Sequence, residues 1–195
     1  MKALVITEPG KSELTERDCP VPGPEEVLLR VRNVGFCGSD LNTFRGTNPL
    51  VSYPRVPGHE ISGTIESIGS EVPGRFEVGQ DVLVLPYSNC GNCSACLLGR
   101  INCCQHNATL GVQRDGAMSE HFVAPWRTLL SSPKLSTKEL ALVEPLTVGF
   151  HAIDRGRVSE NDTVAVIGCG AIGLGVIAGA NARNASVIAI DVDDS

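Results

Sequence analysis

Short apolar runs separated by prolines dominate the first part of the chain. Residues 2–7 form one such run. Across residues 27–34, Val27, Leu29 and Val31 fall on one face and Arg30 and Arg32 on the other. That two-residue period predicts a half-buried strand. Residues 61–68, 81–85 and 120–124 carry similar patterns. Pro20, Pro22, Pro24, Pro54, Pro57, Pro73 and Pro86 punctuate them. Many short strands with frequent turns predict a compact, barrel-like β domain. The period changes near Ser136. Ser136-Thr137-Lys138-Glu139 has the form of a helix capping box. Helical spacing then runs through Leu140, Val143, Val148 and residues 151–153, with a break expected at Pro145. Residues 163–167 predict a strand, 171–183 a helix and 186–190 a second strand. The expected class is mixed β and α/β.

Charge and composition narrow the functions open to such a chain. Its 195 residues include 16 Lys+Arg and 22 Asp+Glu, a formal net charge of −6. Hydrophobic residues make up 42%, a globular composition. There is no basic stripe to hold a polyanion, so nucleic acid is not an expected partner. One stretch, 163–182, lacks charge and is long enough to cross a bilayer. Its Gly175 and Gly179 have the spacing of packed membrane helices. Gly168, Gly170 and Gly173 interrupt it, and Arg183 and Asp191 follow closely. A strand, a glycine turn and a helix are therefore expected there, and no membrane partner. At the N-terminus the apolar run is too short for a signal peptide, and Glu8 and Pro9 interrupt it. A cytoplasmic location is expected, where the 8 cysteines stay reduced and clustered thiols read as metal ligands.

Two clusters have that character. Cys90, Cys93 and Cys96 stand three residues apart, and Cys103 and Cys104 follow. Zinc takes four such ligands in a tetrahedron, and four thiolates with no open position make a structural site. Gly91 and Gly99 give the backbone freedom to wrap the ion. By spacing alone either Cys103 or Cys104 completes the set; His106 is a weaker candidate, expected at the surface. The second cluster joins Cys37, His59, Glu60 and Glu144. A thiolate, an imidazole and carboxylates form a mixed shell of the kind that keeps a position for water or substrate. Asp40 is placed to accept the second ring N–H of His59.

The third motif is Gly168-Cys169-Gly170-Ala171-Ile172-Gly173, directly after an expected strand and opening an expected helix. This is the dinucleotide fingerprint in its proper context. Gly168 allows the turn, Gly170 the approach of a pyrophosphate, and Gly173 close helix packing. The helix N-terminus offers N–H groups to phosphate. Asp191 is placed to bond the adenosine ribose. It would repel a 2′-phosphate, with Asp193 and Asp194 adding to the effect, so NAD is expected over NADP.

Together these residues resemble the zinc-dependent medium-chain alcohol dehydrogenase family. Gly58-His59-Glu60, with Gly63, Gly69 and Val72, fits that family's zinc signature. Cys37-Gly38-Ser39-Asp40 looks like its first catalytic-zinc loop. The cysteine lobe fits its structural zinc lobe, which favours Cys104 over Cys103. Glu144-Pro145-Leu146 with Val148-Gly149 and His151-Ala152 looks like the polyol branch, which includes sorbitol and threonine dehydrogenases. The resemblance implies a GroES-like catalytic domain over 1–150, with the zinc lobe at 88–106. The first βαβ unit of a Rossmann domain would follow over 151–195. It implies two zinc ions per chain, one catalytic and one structural, and NAD-linked oxidation of a secondary alcohol in a polyol or sugar acid. Cys37, His59, Glu60 and Glu144 would hold the catalytic ion, the two carboxylates directly or through water. Ser39, Asp40 and Glu60 would serve catalysis, with Ser39 relaying the substrate proton. His121 and His151 are expected to be structural. Pocket residues near Phe44, Arg45 and Tyr53 are expected to contribute to substrate choice, and Arg45 would suit a carboxylate. Many relatives carry a histidine where Asn42 stands, and asparagine is no general base near neutral pH. Relatives also continue for nearly as many residues again and are usually dimers or tetramers. The resemblance therefore implies a small-molecule alcohol substrate and a homo-oligomer at full length. The alternative is a non-catalytic zinc-binding fragment that needs a C-terminal half.

Overall fold

A computed structural model describes residues 1–192. The chain divides into two units, Met1–Ala141 and Leu142–Ser195. The boundary lies inside one long helix, as does position 150, where the family resemblance put the end of the first domain.

The first unit is β-rich. Strands β1 (Lys2–Glu8) and β2 (Lys11–Glu16) form an antiparallel hairpin. β2 is polar almost throughout, which is why the apolar pattern does not mark it. Strand β3 (Glu26–Gly35) leads to helix α1 (Gly38–Arg45), then to β4 (Glu60–Ile68) and β5 (Asp81–Val84). A short helix α2 (Ser94–Leu97) precedes β6 (His121–Pro125) and β7 (Leu129–Leu130). The sheet order is β6-β3-β4-β5-β7, with every pair antiparallel. Val27, Leu29, Ile61, Ile65, Val82 and Val84 fill its core. The β3–β4 register slips between Val31 and Asn33, then continues to pair Gly35 with Glu60. A bulge of this kind re-aims the side chains beyond it, and those beyond it include Glu60.

Helix α3 (Thr137–Gly156) is capped as expected: Ser136 and Glu139 exchange hydrogen bonds at its start. The break expected at Pro145 does not occur. The helix runs through it, anchored by buried Leu140 and Ala141 before the proline and by buried Ile153 after it. In the second unit β8 (Thr163–Ile167) and β9 (Ser186–Ile190) pair in parallel across helix α4 (Ala171–Ala182). The uncharged stretch is thus a strand, a turn and a helix. A Cβ on Gly149 of α3 would lie 2.2 Å from the Gly175 backbone, and Gly179 lies against Phe150 and Ile153. The small residues of α4 therefore serve close packing against α3. Among the described residues, no helix is long and apolar enough to cross a membrane.

Candidate metal centres and cofactor turn

The cysteine lobe converges on one point. The sulfur atoms of Cys90, Cys93, Cys96 and Cys104 all lie within 4.8 Å of one another. Cys104 is 3.6 Å from Cys90 and 3.9 Å from Cys93. A tetrahedron with metal–sulfur bonds near 2.3 Å has edges of about 3.8 Å, so the spacing suits zinc. Gly91 and Gly99 take φ of 72° and 73°, letting the chain double back between ligands. Backbone N–H groups of Cys90 and His106 donate to the Cys104 sulfur, each at 3.3 Å. Cys103 is exposed and outside the group. The thiols are split in acidity. The Cys96 amide pulls the Cys93 thiol down to about 6, with the Gln105 amide assisting. Burial pushes Cys96 up to about 12, and the Cys90 amide holds Cys104 below the usual thiol range. Four adjacent thiolates repel one another without a cation among them.

The second centre joins Cys37, His59 and Glu60, whose ligand atoms also lie within 4.8 Å of one another. Cys37 caps α1 and is half-buried; His59 immediately precedes β4, Glu60 opens it, and both are buried. Asp40, 2% exposed, sits between the two loops. Its carboxylate accepts from the Cys37 N–H and the Gly58 N–H, each at 3.0 Å. The hydrogen bond expected between Asp40 and His59 does not form. Nδ1 of His59 lies 3.8 Å from Asp40 and is buried without a hydrogen-bond partner. Asp40 spends its oxygens on backbone instead, fixing the residue before His59 and the N–H of Cys37 itself. One residue escaped the sequence reading. A Cβ on Gly35 would stand 1.9 Å from Oε2 of Glu60, so only glycine leaves room for that carboxylate. Its place beside the Cys37 loop is the one signal that could have found it.

The other expected residues are placed as follows. Ser39 lies half-buried in the first turn of α1, and Asn42 is exposed one turn on. Glu144 is buried on α3 in the second unit. His121 donates toward Glu66 at 3.0 Å, and His151 is exposed on α3.

The glycine turn links β8 to α4. Gly168 has φ of 92°, and Gly170 is the N-cap of α4. A Cβ on Gly173 would lie 1.8 Å from the Gly168 carbonyl, whereas one on Gly170 would meet nothing within 4 Å. The turn is thus tight behind and open in front. Asp191, just after β9, accepts from the backbone N–H of Cys169, and its other oxygen accepts from Val192 at 2.7 Å. Asp193 and Asp194 lie outside the described residues.

The alcohol dehydrogenase GroES-like domain family matches residues 23–134. The chain belongs to the zinc-type medium-chain alcohol dehydrogenase family. This bears out the GroES-like fold and mixed β and α/β class expected from the sequence. Among relatives of this dehydrogenase family, L-galactonate-5-dehydrogenase of Escherichia coli (strain K12) is 38% identical over 191 residues. That match takes in 98% of this chain and 56% of the relative. Sorbitol dehydrogenase of Bacillus subtilis (strain 168) is 38% identical over 197 residues, or 97% of this chain and 55% of the relative. Among solved structures, the alcohol dehydrogenase RspB from E. coli CFT073, complexed with NADH, superposes with a TM-score of 0.91 at 38% identity. It matches 100% of this chain and 57% of its own. Galactitol-1-phosphate dehydrogenase from Escherichia coli gives 0.92 at 34% identity, over 100% of this chain and 56% of that one. The chain spans little more than half the length of these dehydrogenases.

Proposed function

We propose that this chain carries the zinc sites of an NAD-linked dehydrogenase that oxidises a secondary alcohol in a polyol or sugar acid. The observation that carries the reading is the mixed donor set of Cys37, His59 and Glu60 within 4.8 Å. The donors suit zinc in kind, and the space left by Gly35 suits the Glu60 carboxylate. A bound zinc ion supplies a Lewis acid that lowers the pKa of an alcohol oxygen. Asp40 keeps the Cys37 and His59 loops in register with each other. The family resemblance assigns Glu144 as a further oxygen ligand, direct or through water. Ser39 is assigned the hydroxyl that takes the substrate proton. Asn42 offers no basic atom at neutral pH, so the proton leaves Ser39 without it. The four-thiolate lobe is assigned a second, structural zinc. The open face of Gly170 and the α4 N-terminus would take the NAD pyrophosphate, and Asp191 the adenosine ribose. The names of the relatives and the NADH bound to RspB support the substrate class and the cofactor.

Elemental analysis with an NADH absorbance assay tests this. We expect two zinc ions per chain, one lost in Cys93→Ser and the other in His59→Ala. NADH formation from NAD with sorbitol or L-galactonate should vanish in His59→Ala. Two zinc ions without any NADH formation would favour the non-catalytic reading. One ion, sensitive to Cys93 alone, would remove the mixed centre from the account.

A further inference from the structure

The segment after the cysteine lobe wraps behind the residue that precedes His59. The N–H groups of Gly116, Ala117 and Met118 donate to Val56, Gly58 and Pro57 at 2.7, 3.0 and 3.0 Å. A Cβ on Gly111 would stand 2.9 Å from the Gly58 nitrogen. Arg114 sits in this turn, and its carbonyl accepts from the Gly111 N–H at 2.8 Å. Its guanidinium donates one long hydrogen bond, 3.5 Å, to the Pro86 carbonyl. Pro86 follows β5, where Val84 pairs with Ile61. Pro86 stands two residues beyond Val84, and His59 two residues before Ile61. The Arg114 turn thus packs on the residues just before His59, and its head meets the residue pair just after β5.

Among the described residues, Arg55 and Arg114 are the arginines that are not exposed, and Arg114 differs in its charge partners. Arg17, Arg30, Arg55, Arg127 and Arg183 each meet a carboxylate. Arg114 meets none among the described residues, and its Nε is buried without a partner. The neighbouring Asp115 is engaged by Arg17, Arg55 and the Val56 N–H. Burial draws Arg114 below the ordinary guanidinium range, yet such a group stays charged. A half-buried cation without an anion is costly, and a ligand is one source of the missing charge.

We propose that Arg114 is an anion anchor beside the Cys37–His59–Glu60 centre and selects a carboxylate-bearing sugar acid over a neutral polyol. This rests on the dehydrogenase reading above. A single guanidinium fork matches a carboxylate in bidentate fashion. A phosphate takes the same fork, so a phosphorylated polyol belongs among the probes.

The test is ligand binding to the zinc-loaded chain, by calorimetry or saturation-transfer NMR. D-gluconate and D-sorbitol differ at one end, carboxylate against hydroxymethyl, and sorbitol 6-phosphate supplies the other anion. Gluconate should bind at least about ten-fold more tightly than sorbitol, the usual scale for a charged hydrogen-bonded pair. Arg114→Gln should bring the two within about two-fold of each other, on that same scale. Zinc content and sorbitol affinity should stay unchanged, and Arg114→Lys should keep part of the preference. A preference that survives in Arg114→Gln, or equal binding of gluconate and sorbitol, overturns the anchor and leaves the dehydrogenase reading standing. An Arg114-dependent gain larger for sorbitol 6-phosphate than for gluconate overturns the carboxylate assignment. Binding of none of the three, with both zinc ions in place, overturns the anchor and the dehydrogenase reading together.

Discussion

Replacing Gly35 with alanine tests how the Glu60 carboxylate is aimed. The two residues are paired across β3 and β4. The new methyl would lie 1.9 Å from Oε2 of Glu60 and 2.9 Å from its Cβ and Cδ. Ordinary contact between such atoms needs on the order of 3.5 Å. The carboxylate must therefore retreat by on the order of 1.5 Å. Metal–oxygen bonds near 2.1 Å tolerate only about 0.2 Å. The required shift exceeds that several-fold, so Glu60 leaves the centre. Overpacking should also cost about 1–3 kcal/mol of stability. We expect Gly35→Ala to hold one zinc ion in place of two. Where the second still binds, its affinity should fall by about 10–100-fold, the range seen on disturbing the supports of a metal site. Gly38→Ala is the control, because a Cβ there meets nothing within 4 Å. The measurements are zinc stoichiometry, competition against a chromogenic chelator, and urea unfolding. A Gly35→Ala chain with two zinc ions at unchanged affinity would refute the reasoning.

Gly170→Ala and Gly173→Ala should fail differently. The first adds a methyl in open space and should weaken NADH fluorescence titration by about ten-fold or more with the melting temperature unchanged. The second drives a methyl into the Gly168 carbonyl and should lower the melting temperature itself; identical behaviour of the pair would undo the assignment of front and back. At the start of α3, the Ser136 side chain and N–H hold the Glu139 carboxyl below its usual range. A carboxyl depressed by folding contributes stability above its unfolded pKa and loses it as pH falls through the folded value. Ser136→Ala should therefore lower the melting temperature at neutral pH, by a margin that closes on acidification; a margin independent of pH would show that Glu139 plays no part.

Local chemistry was easy to read from the chain. The strand bounds of β8 and β9 follow from apolar runs flanked by turn residues, and the cysteine spacing finds its lobe because all four ligands are near neighbours. Features resting on distant approach were not legible. Helix α1 lacks apolar periodicity; Asp40 ties its start to Gly58 instead. Asp40 was expected to serve His59, since nothing local announces that two backbone N–H groups reach its oxygens first. Helix α3 outlasts Pro145 because buried residues on both sides hold it. Gly35 acquires meaning only once β3 and β4 pair, and Arg114 only once its turn lies against Gly58.

The two metal centres differ in how far the chain must travel to build them. The lobe takes its four ligands from 90–104, and Leu97, Leu98 and Ile101 stand exposed, so it has little apolar core to hold it. Its loops are short and easily closed, and coordination of the proposed zinc would itself be the fastening. The mixed centre waits for strands distant in sequence to find their register. On the proposed two-zinc reading, metal would enter in sequence, first where the ligands are local and afterwards where the sheet has assembled them. On the same reading, scarce zinc would fill the lobe first, and complete mixed centres would become fewer while lobes are still being filled.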